Sequence, residues 1–374
     1  MNENNAEPQT LPAPVPVYAS QDEVMILRAR VADVMAIEDT ETDPRDGAVA
    51  FTGTLHHEAE QAFETLKTRF QDMGYVPLLR EAPSGQKQIV VAIRGSLQEA
   101  LRQRAWVQMA LFAATFVTTT IFGGMYAAAL SQASNSGLMN IVVFYGLPFS
   151  CTLLGILAVH EFGHYLQARR HKMPVTLPYF IPMPFGLGTV GAFVQMRGAV
   201  QSKRALFDVG IGGPIAGLLA AVPLFVVGVL IATVTHSPAP DTRSLLMEVL
   251  IGAFRPEAVS NGIALNPVLL AARFGLVLTA LNLLPVGQLD GGHIAYAALG
   301  RKWAMWISYA TLVIMGILGV TVSSNWLVWM FFATISGVQH AAPLNDVTPL
   351  DQRRNVAFLA TFLLFLSLFT TRPF

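Results

Sequence analysis

The sequence predicts a polytopic α-helical membrane protein of about seven spans, with a re-entrant β-hairpin segment and a small soluble α+β domain at its N-terminus. Three observations carry that prediction. The 374 residues are 53% hydrophobic and only 13% charged, with a mean hydropathy of +0.49, which is too apolar for a soluble chain of this length. Apolar stretches long enough to cross a hydrocarbon core of ~30 Å recur from Ala105 onward. Formal net charge is zero, yet about half of the charges lie before residue 105 with an acidic excess, so the chain reads as two parts. No basic cluster interleaved with aromatics is present, which argues against a nucleic-acid partner. The single cysteine, Cys151, can form no intramolecular disulfide and is expected to pack in an apolar run.

Taken in order, residues 1–20 form a Pro-rich lead-in without the basic and apolar regions of a signal peptide, and are expected to be disordered. Residues 21–104 are expected to form the soluble domain. There "GAVAFTGTL", "YVPLLRE" and "KQIVVAIRG" have strand character, and Leu55, Ala59, Phe63, Leu66, Phe70 and Met73 repeat at helical spacing. The acidic "EDTETDPRDG" is expected to be an exposed turn, and His56 and His57 to be solvated. No chemistry is evident in this part, which reads as a docking or regulatory cap.

Residues 105–374 form the membrane domain, with a core at 138–300. Spans are expected at about 105–130, 138–167, 206–235, 263–285, 303–322, 324–341 and 355–371. With the N-terminus cytoplasmic, the inside links carry Arg102, Arg104, Arg169, Arg170, Lys172, Arg197, Lys203, Arg204, Arg301, Lys302, Arg353 and Arg354, and the outside links only Arg243, Arg255 and Arg372. The expected setting is therefore a multi-pass protein of a bacterial cytoplasmic membrane. Residues 173–204 are apolar but carry Pro174, Pro178, Pro182 and Pro184, which forbid a regular helix. Backbone of that kind at membrane depth needs partners within the protein, so a re-entrant segment with a short hairpin around Gly191–Val200 is expected.

The chemistry lies in "HEFGH". His160 and His164 stand one helical turn apart on one face, where both imidazoles can reach a single metal ion. Zinc held this way brings its water near neutrality, and Glu161 can take the proton from that water to make a nucleophile. The site needs a third ligand. Asp290 ends an apolar stretch opened by Pro285, Gly287, Gly291 and Gly292, and an ionisable group at that depth is a functional candidate. Asn282, eight residues earlier, offers an amide donor for an oxyanion or a cap for a broken helix. His293 is a weaker ligand candidate, His171 reads as solvated, and Arg273 and Asp208 are expected to snorkel or pair. "SLLMEVLIGAF" fits either an interfacial helix or a loop.

His160-Glu161-x-x-His164 followed by Asn282-x-x-Pro285-x-x-x-x-Asp290-Gly291 resembles the site-2 protease family of intramembrane zinc metalloproteases, over about residues 105–300. "ALNLLPVGQLDGGH" and "GTVGAF" are similar to the cyanobacterial and plant-plastid branch, which carries a soluble N-terminal domain. The resemblance implies one zinc ion per chain on His160, His164 and Asp290, Glu161 as the base, and Asn282 as oxyanion or substrate contact. It also implies a transmembrane protein substrate, within a lipid bilayer, cleaved in or near its membrane segment. Two departures stand out. The 236–262 loop is too short for a PDZ domain, and "GGPIAG" has Gly217 where many members have asparagine. Rival readings are a protease of the prenylated-protein type, which needs a later glutamate, and a transporter whose broken helices line an ion path. The first has no glutamate between Glu161 and Glu248, and the second has no need of Glu161. The sequence assigns no oligomeric state.

Overall fold

The computed structural model describes residues 19–43, 47–83, 85–95, 105–131, 137–196, 198–238 and 243–372. The expected disordered lead-in and the basic residues Arg102, Arg104 and Arg197 fall largely or wholly outside them. Its contacts divide the chain into two compact units, Met1–Leu97 with Leu344–Thr348, and Gln98–Pro343 with Pro349–Phe374.

In the first unit, helix α1 (Gln21–Val31) starts on a capping box, with Ser20 accepting from the Glu23 amide and the Glu23 carboxylate accepting from the Ser20 amide. Strands β1 (Met35–Thr42), β2 (Val49–Leu55), β3 (Tyr75–Glu81) and β4 (Gln88–Arg94) make an antiparallel sheet in the order β1-β2-β4-β3, with helix α2 (Ala59–Gln71) between β2 and β3. Alternate residues of the sheet, among them Phe51, Tyr75, Leu79, Val90 and Ala92, meet Phe63, Leu66 and Phe70 of α2 in one core. Of the stretch expected as an acidic turn, 38–47, residues 38–42 instead belong to β1, and 44–46 lie outside the described residues. The charged residues of β1 stay exposed because an edge strand with one open face tolerates them. His56 and His57 are exposed, as expected. The outer edge of β3 is filled from far along the chain: Leu79 donates to the Leu344 carbonyl at 2.7 Å, and Asp346 donates to the Leu79 carbonyl at 3.0 Å. Asn345 closes this insert by accepting from the Val347 and Thr348 amides and donating to Thr348 Oγ1.

In the second unit, four helices among the described residues are long and apolar enough to cross a membrane: α3 (Ala105–Leu130), α4 (Leu138–Arg170), α5 (Lys203–Ile231) and α8 (Asp290–Thr321). Between α5 and α8 lie α6 (Leu245–Phe254), the "SLLMEVLIGAF" segment, and α7 (Pro267–Asn282), and after α8 come α9 (Asn325–Ile335) and α10 (Gln352–Leu368). The 16 residues of α7 rise about 24 Å, short of a full crossing. Gly300 breaks α8 at φ 79° and ψ 170°, a left-handed conformation that costs glycine little. Helices α4 and α5 meet through glycines. A Cβ on Gly163 would sit 2.3 Å from the Gly212 carbonyl oxygen, so the two backbones are in contact.

The Pro-rich segment does form a hairpin, but earlier than expected. Strands β5 (Tyr179–Pro182) and β6 (Thr189–Phe193) pair, while Gly191–Val200 contributes only the end of β6 and the single bridge Val175–Met196. Gly186 and Gly188 adopt positive φ and make the turn.

Candidate metal centre

Helix α4 carries His160, Glu161 and His164, all buried. His164 Nδ1 lies 2.8 Å from the Val209 carbonyl oxygen of α5. A carbonyl only accepts, so Nδ1 holds the proton and Nε2 keeps its lone pair. That lone pair lies 3.1 Å from His160 Nε2. Asp290, the first residue of α8, brings one carboxylate oxygen to 3.2 Å from His160 Nε2 and the other to 3.3 Å from His164 Nε2. Its Oδ2 is buried and lacks a hydrogen-bond donor. Two imidazoles and a carboxylate thus turn electron pairs on one small volume, which is unfavourable for neutral packing and suited to a divalent cation. Glu161 also lies within 4.8 Å of both imidazoles. Its carboxylate faces the backbone amide of Val194, just past β6. Asp290 reaches both Nε2 atoms as well, so either carboxylate could complete a ligand set with His160 and His164.

The two histidines fit only because α5 has no side chains opposite them. A Cβ at Gly213 would lie 2.1 Å from His164 Nε2, and one at Gly217 would lie 2.9 Å from His160 Nδ1. Gly213 and Gly217 repeat the four-residue spacing of His160 and His164. The motif "GGPIAG" held that signal, but sequence reasoning did not connect it to the imidazoles.

Asn282 ends α7 and places its amide nitrogen 3.4 Å from His160 Nε2. The turn Leu283–Leu289 then delivers Asp290. This turn is clamped by the segment after α9: Gln288 donates its backbone amide to Gly337 O and its side-chain amide to Gln339 O, at 3.2 and 2.8 Å. A cavity of about 200 Å³ is lined by His160, Glu161, His164, Asn282, Asp290 and His293, with Ala192 and Phe193 of β6 and the adjoining Val194 along one side. Of the other candidates, His171, expected to be solvated, is part-buried and paired. Its Nε2 lies 2.8 Å from Asp208 Oδ2, and Arg354 grips the same carboxylate through two nitrogens at 2.8 and 2.6 Å. This cluster joins the ends of α4, α5 and α10 away from the cavity, and Arg273 lies part-buried on α7.

Residues 148–318 match the family model of peptidase family M50. The chain is 28% identical over 373 residues to the probable zinc metalloprotease EGY2, chloroplastic, of Arabidopsis thaliana, covering 95% of this chain and 65% of that protein. It is 32% identical over 235 residues to the probable zinc metalloprotease EGY1, chloroplastic, of Oryza sativa subsp. japonica, covering 59% and 40%. It is 27% identical over 282 residues to the probable zinc metallopeptidase EGY3, chloroplastic, of Arabidopsis thaliana, covering 70% and 48%. The chain thus spans less than two thirds of the length of these relatives. They are plastid proteins and lend no support to the bacterial setting expected from sequence. An apolar helical unit with helices long enough to cross a membrane and a buried His-Glu-His group is that of an integral membrane protein, and from α4 into α8, over residues 148–318, the chain is similar to peptidase family M50.

Proposed function

We propose that the chain is an intramembrane zinc metalloendopeptidase that hydrolyses peptide bonds in or near transmembrane segments of other membrane proteins. The observation that carries this reading is the approach of the Asp290 carboxylate to the Nε2 atoms of both His160 and His164, at 3.2 and 3.3 Å. His160, His164 and Asp290 would hold one zinc ion, which when bound supplies a Lewis acid that lowers the pKa of a water toward ~7. Val209 fixes the His164 tautomer. Glu161, free of the ligand set, takes the proton of the attacking water and returns it to the departing amine. The Asn282 amide donates to the carbonyl oxygen as it gains charge. The reaction belongs in the membrane because the scissile bond does, and the substrate helix must unwind before a carbonyl can reach the site. The match to peptidase family M50 and the names of its relatives support the protease over the transport reading.

The same reading holds residues 21–104 to be a soluble domain, 105–374 the protease domain with its core at 138–300, and 1–20 a lead-in. The shorter helices α7, α9 and α10, each extended by the residues that flank it, would complete about seven crossings, with 173–204 re-entrant. The N-terminus lies on the side where Arg169, Arg170, Arg301 and Lys302 gather. The test is Glu161→Gln in purified full-length protein. Cleavage of a model transmembrane substrate should be abolished while zinc, by elemental analysis, stays near one per chain. Loss of zinc in that variant would make Glu161 a ligand and overturn the assigned roles.

A further inference from the structure

His293 lines the metal cavity, yet the ligand set and the proposed chemistry leave it without a task. Its surroundings fix its protons. His340 Nδ1 lies 2.6 Å from the Ala341 carbonyl oxygen, which can only accept, so Nδ1 carries the hydrogen. A neutral His340 then has a lone pair at Nε2. That atom lies 2.5 Å from His293 Nδ1, so His293 Nδ1 must donate. The remaining nitrogen of His293, Nε2, is left as an acceptor. The buried ring of Tyr296, 4.7 Å from that of His340, packs beside it. Gln288 ties the preceding residues to the Asp290 turn through Gly337 and Gln339. His340 is not among the residues lining the metal cavity, whereas His293 is. His340 therefore meets His293 Nδ1 from outside the set of residues that line the cavity, while His293 itself belongs to its wall.

An unwound substrate segment brings backbone N–H groups that have lost their helical partners into the cavity, and each needs an acceptor. Asp290 is committed to the cation and Glu161 to the proton. We propose that His293 Nε2 accepts a hydrogen bond from a backbone N–H of the unwound substrate, and that His340 is the positioning residue that holds His293 in the Nδ1–H tautomer for this purpose. The proposal rests on the protease reading and adds a substrate contact to it.

The test uses full-length zinc-loaded protein in micelles, with His293→Ala, His340→Leu and His340→Gln. Gln places an amide oxygen near the position of the lost Nε2 and can accept from His293 Nδ1. For a model transmembrane substrate, His293→Ala and His340→Leu should raise KM about tenfold, at the low end of what outer partners of metal sites control. The kcat should change less than twofold, and His340→Gln should restore most of the KM. Zinc should stay near one per chain in all three. In 15N-histidine-labelled protein, the His293 imidazole should show Nδ1–H in wild type and His340→Gln, and a mixture of tautomers in His340→Leu. Zinc loss in His293→Ala would make His293 a ligand and overturn the proposal. So would Nε2–H at His293 in wild type, or a His340→Gln variant no better than His340→Leu. A wild-type protein that cleaves no transmembrane substrate would instead defeat the protease reading, and the imidazole spectra would still decide the tautomer relay.

Discussion

The two units solve the packing problem in opposite ways. The N-terminal unit fills its interior with large side chains, Phe51, Phe63, Leu66, Phe70 and Leu79, and leaves its ion pairs Arg69–Asp33 and Arg94–Glu23 at the surface. The membrane unit removes side chains where its helices cross, at Gly163, Gly212, Gly213 and Gly217, and spends the space on polar groups. In water, burying apolar area drives folding, so bulk is favourable. In a bilayer the surroundings are as apolar as the core, and close backbone approach together with satisfied polar groups matters more. The metal centre lies where α4 and α5 have given up bulk, and its volume is set by what the opposite helix lacks.

That contrast is broken most directly at Gly213. Gly213→Ala should cut both bound zinc and cleavage by at least ~100-fold, since its Cβ would take the position facing His164 Nε2. Gly155→Ala, on the same helix as the histidines but with nothing within 4 Å, should change neither. Full zinc in Gly213→Ala would show that the glycine face does not set the site. Removing bulk from the other unit should act on stability alone. Phe70→Ala is expected to cost about 3–5 kcal/mol locally and to expose β2, β3 and β4 to hydrogen–deuterium exchange, with zinc unchanged. All five tryptophans lie in the membrane unit, so their fluorescence should stay constant in this variant, and a shift would contradict the separation. A smaller effect is expected for Asn345→Ala, which leaves the Val347 and Thr348 amides unpaired. It should cost about 1–2 kcal/mol, read as faster exchange at the Leu79 amide.

The smallest effect concerns pH. The Ser20 amide and, after it, Arg94 hold the Glu23 carboxyl below its ordinary value. A depressed folded-state pKa contributes stability above the unfolded value of about 4.5, and that contribution fades as pH falls through the folded value. The group is exposed and solvent screens it. Exchange at the start of α1 should rise slightly below about pH 4.5, and Glu23→Gln should remove that dependence. A large acid effect abolished by Glu23→Gln would mean that a surface pair matters more than the core.

What could be read from the sequence was what helix periodicity carries. His160, Glu161 and His164 needed only the 3.6-residue repeat to share a face, and Asp290 and Asn282 stood out as polar residues in apolar, glycine-broken chain. The structure brings these five together. Three features were misread for physical reasons. Ser20-x-x-Glu23 was a legible capping box that went unused. Residues 38–42 looked like a turn by composition, although an edge strand can carry such charges. The hairpin was placed late, since its turn lies at Gly186 and Gly188, whose positive φ no local pattern announces. The His340–His293 pair, the Gly337–Gln288 clamp and the insertion at β3 had no local signal, since each depends on residues far apart in sequence meeting only after folding.

The insertion at β3 also has a consequence for the order of synthesis. A ribosome releases β3 early, but Leu344–Asp346, which occupy its edge, follow only after every long apolar helix of the chain has been made. Until then the Leu79 amide and carbonyl face outward on the open edge of β3, the kind of edge that recruits other chains. The N-terminal unit is therefore finished by a segment that emerges only after α3, α4, α5 and α8. A nascent chain truncated before Leu344 should carry an open, association-prone sheet, so completion of this small unit is itself a record that translation has passed α3, α4, α5 and α8.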